Sequence, residues 1–287
     1  MKYVYIIMLF SMISNFFAFN PYIYRTINPG ILRKVIQEDL NKNFQKVSWV
    51  KAKKILHSEI NNIDIYGDNL HSKNVEHIFP QMYFKYNENK NIMKADMHNL
   101  LLCSEKLNTY RQHFKFIDPS YLKELSQKEL SSFHMINSDC KQIDDLNDFI
   151  SQKHDVVMIN KKNKLFIPTL KSRGPIARSL AYFSVKYNYT EELLNVIDIN
   201  TLIQWNFDNP VSIDEYHKNI LIYKHHNVVN PFIVYPDLIN YCFVDIANIN
   251  IENIYPNCDN MYSTNHLINE IKDRDKTINH LIKSIKK

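Results

Sequence analysis

Between Lys73 and Phe116 the chain sets a carboxylate beside an imidazole, at Glu76 and His77, and brings a carboxamide and a guanidinium, Asn108 and Arg111, about one hairpin later. The stretch opens on Asn74-Val75-Glu76-His77-Ile78-Phe79-Pro80, passes through Asp96-Met97-His98-Asn99-Leu100 and closes on Asn108-Thr109-Tyr110-Arg111. These groups can hold one divalent cation against a phosphodiester, and a fold that uses them so has to bring them together. A hard oxygen donor such as Glu76 suits Mg²⁺ or Ca²⁺ better than zinc. In a strand, neighbouring side chains leave on opposite faces, so Glu76 and His77 flank one site only if the backbone bends there. Pro80 makes a bend reasonable. On that reading Glu76 holds the cation, and neutral His77 takes a proton from the attacking water.

Asn108 lies in a segment where Leu107 and Tyr110 have helix-like spacing. Its amide oxygen is a reasonable second ligand, leaving the ion several waters and room for a phosphate oxygen, as Mg²⁺ prefers. Arg111, three residues on, shares that helix face and can neutralise a phosphate oxygen in bidentate fashion. Taken singly, Asn108 reads as a solvated helix amide, Arg111 as a surface cation, and His77 as one of 12 histidines.

At 287 residues the chain can bury one large core or two modest ones. Its net charge of +5 is too small to establish a polyanionic partner. Lys2, the apolar run Tyr3 to Ile13 broken by Ser11, and Ser14-Asn15-Phe16-Phe17-Ala18 form the layout of a secretory signal peptide over residues 1–18. An uncleaved anchor is the alternative, but the run is shorter than the roughly 20 residues a spanning helix needs. Secretion makes Cys103, Cys140, Cys242 and Cys258 candidates for two disulfides in any of three connectivities. No pair has Cys-x-x-Cys spacing, which argues against a zinc knuckle, and a zinc site built from His225-His226 and the cysteines lacks suitable ligand pairs. Asn188-Tyr189-Thr190 is an acceptor sequon for a eukaryotic secretory route.

Along the chain, Ile31, Val35, Ile36 and Leu40 predict one amphipathic helix, and Val47, Val50, Ala52, Ile55 and Leu56, preceded by Ser48, a second. Ile63 to Asp68 alternates as a strand, Asp118 to Asn163 reads as loop-rich, and Leu165 to Pro168 as a strand end. Arg173-Gly174-Pro175 is expected to launch a helix carrying Ile176, Leu180, Phe183 and Tyr187 on one face. Helices over Glu191 to Trp205 and Asp214 to Tyr223 follow, with Asn230-Pro231-Phe232 as a break. Only three glycines occur, so each is expected at a backbone position that needs it. Residues 259–287 are expected to form an amphipathic helical tail, with Leu267, Ile271, Ile278, Leu281 and Ile285 opposite lysines.

Taken together, the motifs resemble the endonuclease I family, secreted nonspecific nucleases with a ββα-metal (His-Me finger) core. Besides the stretches above, the resemblance runs through Tyr66-Gly67-Asp68, Arg173-Gly174-Pro175-Ile176-Ala177-Arg178, Trp205, Asp208-Asn209-Pro210-Val211, Glu215, Asn219 and Asn230-Pro231-Phe232, so it covers roughly Ile55 to Leu238. It implies an α+β fold in which a small sheet carries the ββα core and helices surround it, within a nuclease domain over 19–258. It implies Glu76 and Asn108 as metal ligands, His77 as general base and Arg111 beside the phosphate. Asp96, His98 and Asn99 are implied to brace the site, with His98 the main competitor for the base. Arg173 and Arg178 are candidates for phosphate contact, although Arg178 reads equally as a structural ion-pair partner. The cofactor implied is Mg²⁺, with Mn²⁺ or Ca²⁺ sharing its ligand tastes. The partner is DNA or RNA read without sequence preference, the products carry 5′-phosphates, and a monomer is expected.

The chain departs from the family pattern in three places. Asn227-Val228-Val229 stands where many members carry a Gly-Asn-Arg run, Pro175 replaces an acidic residue, and the insert from Asp68 to Asn74 is short. These changes bear on substrate-groove contacts. The competing reading is a catalytically inactive secreted protein that binds nucleic acid or another partner on the same fold.

Overall fold

The computed structural model describes residues 28–60, 65–66, 73–136, 142–143 and 156–247. The leader, the C-terminal tail, Cys140 and Cys258 lie outside them. Helix α1 (Pro29–Asn43) starts where the Asn28 side chain accepts from the Gly30 and Ile31 amides, and α2 (Trp49–Ser58) where Ser48 accepts from Lys51. Such caps satisfy amides that the first turn leaves unpaired. The buried stripe of α1 is Leu32, Ile36 and Leu40, one position off the expected register at its start, and Ile31 is exposed. In α2, Ala52, Ile55 and Leu56 are buried as expected, while Val50 faces solvent.

Strand β1 (Lys73–His77) pairs antiparallel with β2 (Leu100–Ser104), Lys73 opposite Ser104 and His77 opposite Leu100. Helix α3 (Lys90–Lys94) lies in the connection. Ser104 ends β2 and caps α4 (Glu105–Arg111) through the Leu107 amide, so β2 runs into α4 without a break. Of the expected strand Ile63 to Asp68, only Ile65 and Tyr66 are described. They form a bend, with the Ile65 amide donating to the Leu102 carbonyl.

The region from Asp118 to Asn163, expected to be loop-rich, also carries short strands. It supplies most of a second sheet, built from β3 (Lys115–Phe116), β4 (His134–Ile136), β5 (Gln142–Ile143), β6 (Val157–Asn160) and β7 (Leu165–Ile167), with one short helix, α5 (Gln127–Leu130), before β4. The order is β3-β7-β6-β4-β5, antiparallel except for β3 with β7. Strands of two to four residues are too short to show a period of two.

Helix α6 (Leu170–Tyr187) is buried along most of its length and forms the axis of the main core. It begins at Leu170, earlier than expected, with the Ser172 amide already donating to Thr169, so Pro175 lies inside the helix rather than at its start. Proline has no N–H for the bond one turn back, and the Lys171 carbonyl loses that donor. A Cβ on Gly174 would sit 2.5 Å from the Asn209 carbonyl oxygen, so this glycine permits the chain after α8 (Ile199–Asp208) to approach α6. The single helix expected over Glu191 to Trp205 is two, α7 (Thr190–Leu193) and α8. Helices α9 (Ile213–His226), α10 (Pro231–Val234) and α11 (Leu238–Ala247) complete the described chain. The fold is α+β. Among the described residues no helix is long and apolar enough to cross a membrane.

The expected disulfides find no support among the described residues, where none is formed, and Cys242 is a thiol buried in the main core. Asn188 ends α6 in the left-handed conformation and is exposed.

Candidate active site

Glu76 and His77 are consecutive residues of β1, so their side chains leave the hairpin on opposite faces. The bend expected between them falls after His77 instead. It is fixed by Asn99, whose oxygen accepts from the Phe79 amide at 2.7 Å and whose nitrogen donates to the Phe79 carbonyl at 3.1 Å.

On the α4 face, the Glu76 carboxylate is 2 % exposed. Its Oε1 lies 3.1 Å from Arg111 Nη1 and accepts from the Tyr66 hydroxyl at 3.4 Å. Burial pushes the Glu76 carboxyl up to about 7, against the opposing pull of Arg111 and the Tyr66 hydrogen bond. Arg111, expected beside the phosphate, is fully buried. It donates to the backbone carbonyls of His77, Ile78 and Gln112 and stacks on Phe116 at 4.5 Å. The length of its side chain lets it reach from α4 under β1, where it ties helix to strand.

Asn108, one turn before Arg111, donates from Nδ2 to the Val75 carbonyl at 3.3 Å. That leaves Asn108 Oδ1 and Glu76 Oε2 accepting no hydrogen bond among the described residues. One carboxylate and one carboxamide oxygen, uncommitted on adjoining elements, are the donor chemistry a hard cation takes. The residues present therefore fit the implied ion. Among the described residues no cluster of three His, Cys, Asp or Glu side chains forms a metal site.

His77 faces the other way. Its Nε2 lies 2.9 Å from the Lys94 carbonyl oxygen, which can only accept, so Nε2 carries the proton. Nδ1 holds the lone pair and accepts from the Gln81 amide at 3.2 Å. Burial pulls the imidazole down to about 4, so the ring is neutral at neutral pH. The Trp49 ring lies 5.2 Å from it, centroid to centroid.

The three bracing residues lie together, at or just before the start of β2. Asp96 Oδ2 accepts from Lys186 at 2.7 Å, Tyr187 at 2.8 Å and Tyr182 at 3.2 Å, and Oδ1 accepts from the His98 amide. Burial lifts this carboxyl, but Lys186, with lesser help from His226, His98 and the Lys186 hydrogen bond, more than reverses that and holds it well below its ordinary value. His98 is 3 % exposed, packs on Tyr182 and faces the Val228 carbonyl at 3.0 Å, inside the protein. Val228 belongs to the run that departs from the family pattern, and here it is a packing element.

The two arginines of α6 differ. Arg178 is fully buried and grips Glu215 with two bonds, at 2.7 and 2.6 Å, while donating to Asn206 and the Asn209 carbonyl. It has the ion-pair role that its sequence context left open. Arg173 is 6 % exposed and makes no hydrogen bond among the described residues, its guanidinium lying 5.9 Å over the Trp205 ring. His226 accepts from the Met97 amide and donates to the Gln45 carbonyl, so neither nitrogen is available to zinc.

Sequence reasoning missed Gln81, Trp49 and Lys186, and quoted Tyr66 within the resemblance without giving it a role. Only Gln81, four residues beyond His77, carried a local signal; the others arrive through folding.

None of the curated proteins compared with the chain matches it. The family model described as Endonuclease I matches residues 51–237, well over half of the chain and spanning the hairpin, α4 and both arginines of α6. The chain belongs to the endonuclease I family.

Proposed function

We propose that this chain is a secreted, metal-dependent endonuclease that hydrolyses phosphodiesters of DNA or RNA without sequence preference, leaving 5′-phosphate ends. The observation that carries this reading is the tautomer of His77. The Lys94 carbonyl accepts a hydrogen bond from Nε2–H, so the base is Nδ1, on a ring that is neutral at neutral pH. Gln81, on an exposed turn, yields its place at Nδ1 to the attacking water, and Nδ1 receives that water's proton. Glu76 and Asn108 are the residues that would hold Mg²⁺, with Mn²⁺ or Ca²⁺ as substitutes. They lie on the α4 face of β1, opposite the His77 ring, so the substrate phosphate has to reach round the strand where the backbone turns after His77. When bound there, the ion would supply Lewis-acid stabilisation of charge on the phosphate and the departing 3′ oxygen. Arg111 holds the Glu76 carboxylate against α4 and acts as a positioning residue. Asp96, His98 and Asn99 hold the connection between the two strands in place. Secretion follows from the leader over residues 1–18, and the mature chain acts as a monomer.

Plasmid nicking tests the assignment. His77→Ala is expected to lose about 10²- to 10⁴-fold in rate, and chelator to abolish wild-type cleavage. Undiminished, chelator-sensitive cutting by His77→Ala removes the imidazole from its role. A wild-type protein that retards DNA on a gel but never cuts it, across several divalent ions, is instead the inactive binding protein.

A further inference from the structure

The face of the hairpin that carries His77 also carries an aromatic and basic surface that the catalytic reading does not use. Trp49 opens α2, partly exposed, with its ring beside the His77 imidazole. Two ammonium groups lie over the indole, Lys94 at 5.0 Å and Lys53 at 5.9 Å. Lys94 is also the residue whose carbonyl fixes the His77 tautomer, so indole, imidazole and ammonium share one framework. Lys53 is exposed, and Lys51 and Lys54 flank it in sequence, also exposed. Trp49 falls before the stretch that matches the family, which begins at residue 51.

An apolar core explains only part of this. The helix packs inward through Ala52, Ile55 and Leu56, and Trp49 borders that cluster rather than filling it. An indole flanked by lysines at a protein surface is the chemistry that takes a nucleobase on its face and the neighbouring phosphates on the ammonium groups. A cation over a partly exposed ring is held weakly compared with a stacked base. An arriving phosphate can therefore draw Lys53 off the indole and free the face for the base. Base pairs within a duplex do not offer their faces, so the surface selects an unpaired strand.

We infer that Trp49, Lys53 and Lys94 form a binding surface for single-stranded nucleic acid beside the candidate base, one nucleobase stacking on Trp49 and the adjoining phosphates meeting the two lysines. This rests on the reading of His77 as part of a nuclease site for its purpose, but its test does not require cleavage.

The full chain is titrated in chelator with a short dye-labelled oligothymidylate or oligouridylate, following anisotropy of the dye for every variant and, for wild type, tryptophan fluorescence as well. The chain has two tryptophans, and Trp205 is buried, so quenching reports Trp49. Trp49→Ala is expected to weaken binding of either oligomer by about 5- to 100-fold, with Trp49→Phe falling between it and wild type. On an abasic oligomer of equal length, Trp49→Ala should bind like wild type. Lys53→Ala should lower the slope of log K against log salt by about 0.7. Unchanged affinity of Trp49→Ala for the thymidylate, or an equal loss on the abasic strand, overturns the proposal. If wild type binds with quenching but never cuts, the nuclease reading fails and the surface stands. If it cuts while Trp49→Ala binds normally, the surface fails and the nuclease reading stands.

Discussion

Arg173 and Arg178 lie five residues apart on α6, and their surroundings assign them opposite energetics. Arg178 is a buried charge fully answered by Glu215, so removing one partner leaves the other uncompensated. Glu215→Ala is expected to cost about 3–5 kcal/mol, read as a lower denaturation midpoint at unchanged slope. Arg173 has no such answer. Burial pulls its guanidinium down, and Asp118 and Asp208 oppose this from beyond ion-pair distance. Arg173→Met is therefore expected to be neutral or stabilising in the same measurement, and a loss like that of Glu215→Ala would show that the two sites are alike. The sequence could not separate these two residues, because what decides between them is Glu215, 37 positions from Arg178 along the chain. A pH prediction belongs at this scale too. With its folded-state value depressed, Asp96 contributes stability that is present above the unfolded carboxyl value of about 4 and is lost as pH falls below it. Lys186→Met removes the chief cause of that depression. The stability lost between about pH 5 and pH 2, read from denaturant unfolding followed by circular dichroism, should then be smaller in the variant than in wild type; an unchanged loss would mean that the hydroxyls of Tyr182 and Tyr187 suffice.

Helices were legible wherever their caps and stripes were local. Ser48 and the stripe of α2 are readable in ten residues, whereas the strand, strand, helix order around Glu76 and Asn108 was implied by the resemblance alone. The break between α7 and α8 was missed because Asp198 looked like one more polar residue on a helix. In the fold its carboxylate accepts from the Asn200 and Thr201 amides and starts α8 afresh. Asp198→Ala is expected to destabilise by about 1 kcal/mol, measurable by thermal unfolding, and no change would assign the break to the packing of Val196 and Ile197 instead. The second sheet was illegible for a different reason. Its strands are two to four residues long and gain their identity from partners, as when Phe116 pairs with Phe166.

For the whole molecule, the residues of the candidate centre are spread over elements that only the complete fold holds together. Arg111 bridges α4 to β1, Asn108 bonds to the carbonyl before Glu76, and α6 supports the connection between the strands through Lys186. An ion held by Glu76 and Asn108 would thus bind the folded chain and not the unfolded one, and must stabilise it by mass action. At a hundredfold excess over Kd the gain is about 2.7 kcal/mol, or roughly 5–10 °C in Tm for a chain of this size. Glu76→Gln alone is an ambiguous probe, because it also breaks the ion pair with Arg111 and lowers the starting Tm. Asn108→Ala leaves that pair intact and removes only the carboxamide oxygen and one hydrogen bond. The informative quantity is therefore the increment that Mg²⁺ or Mn²⁺ adds to each variant's own Tm. It should be present in wild type and strongly reduced in both variants; a full increment surviving in both would place the ion on other residues.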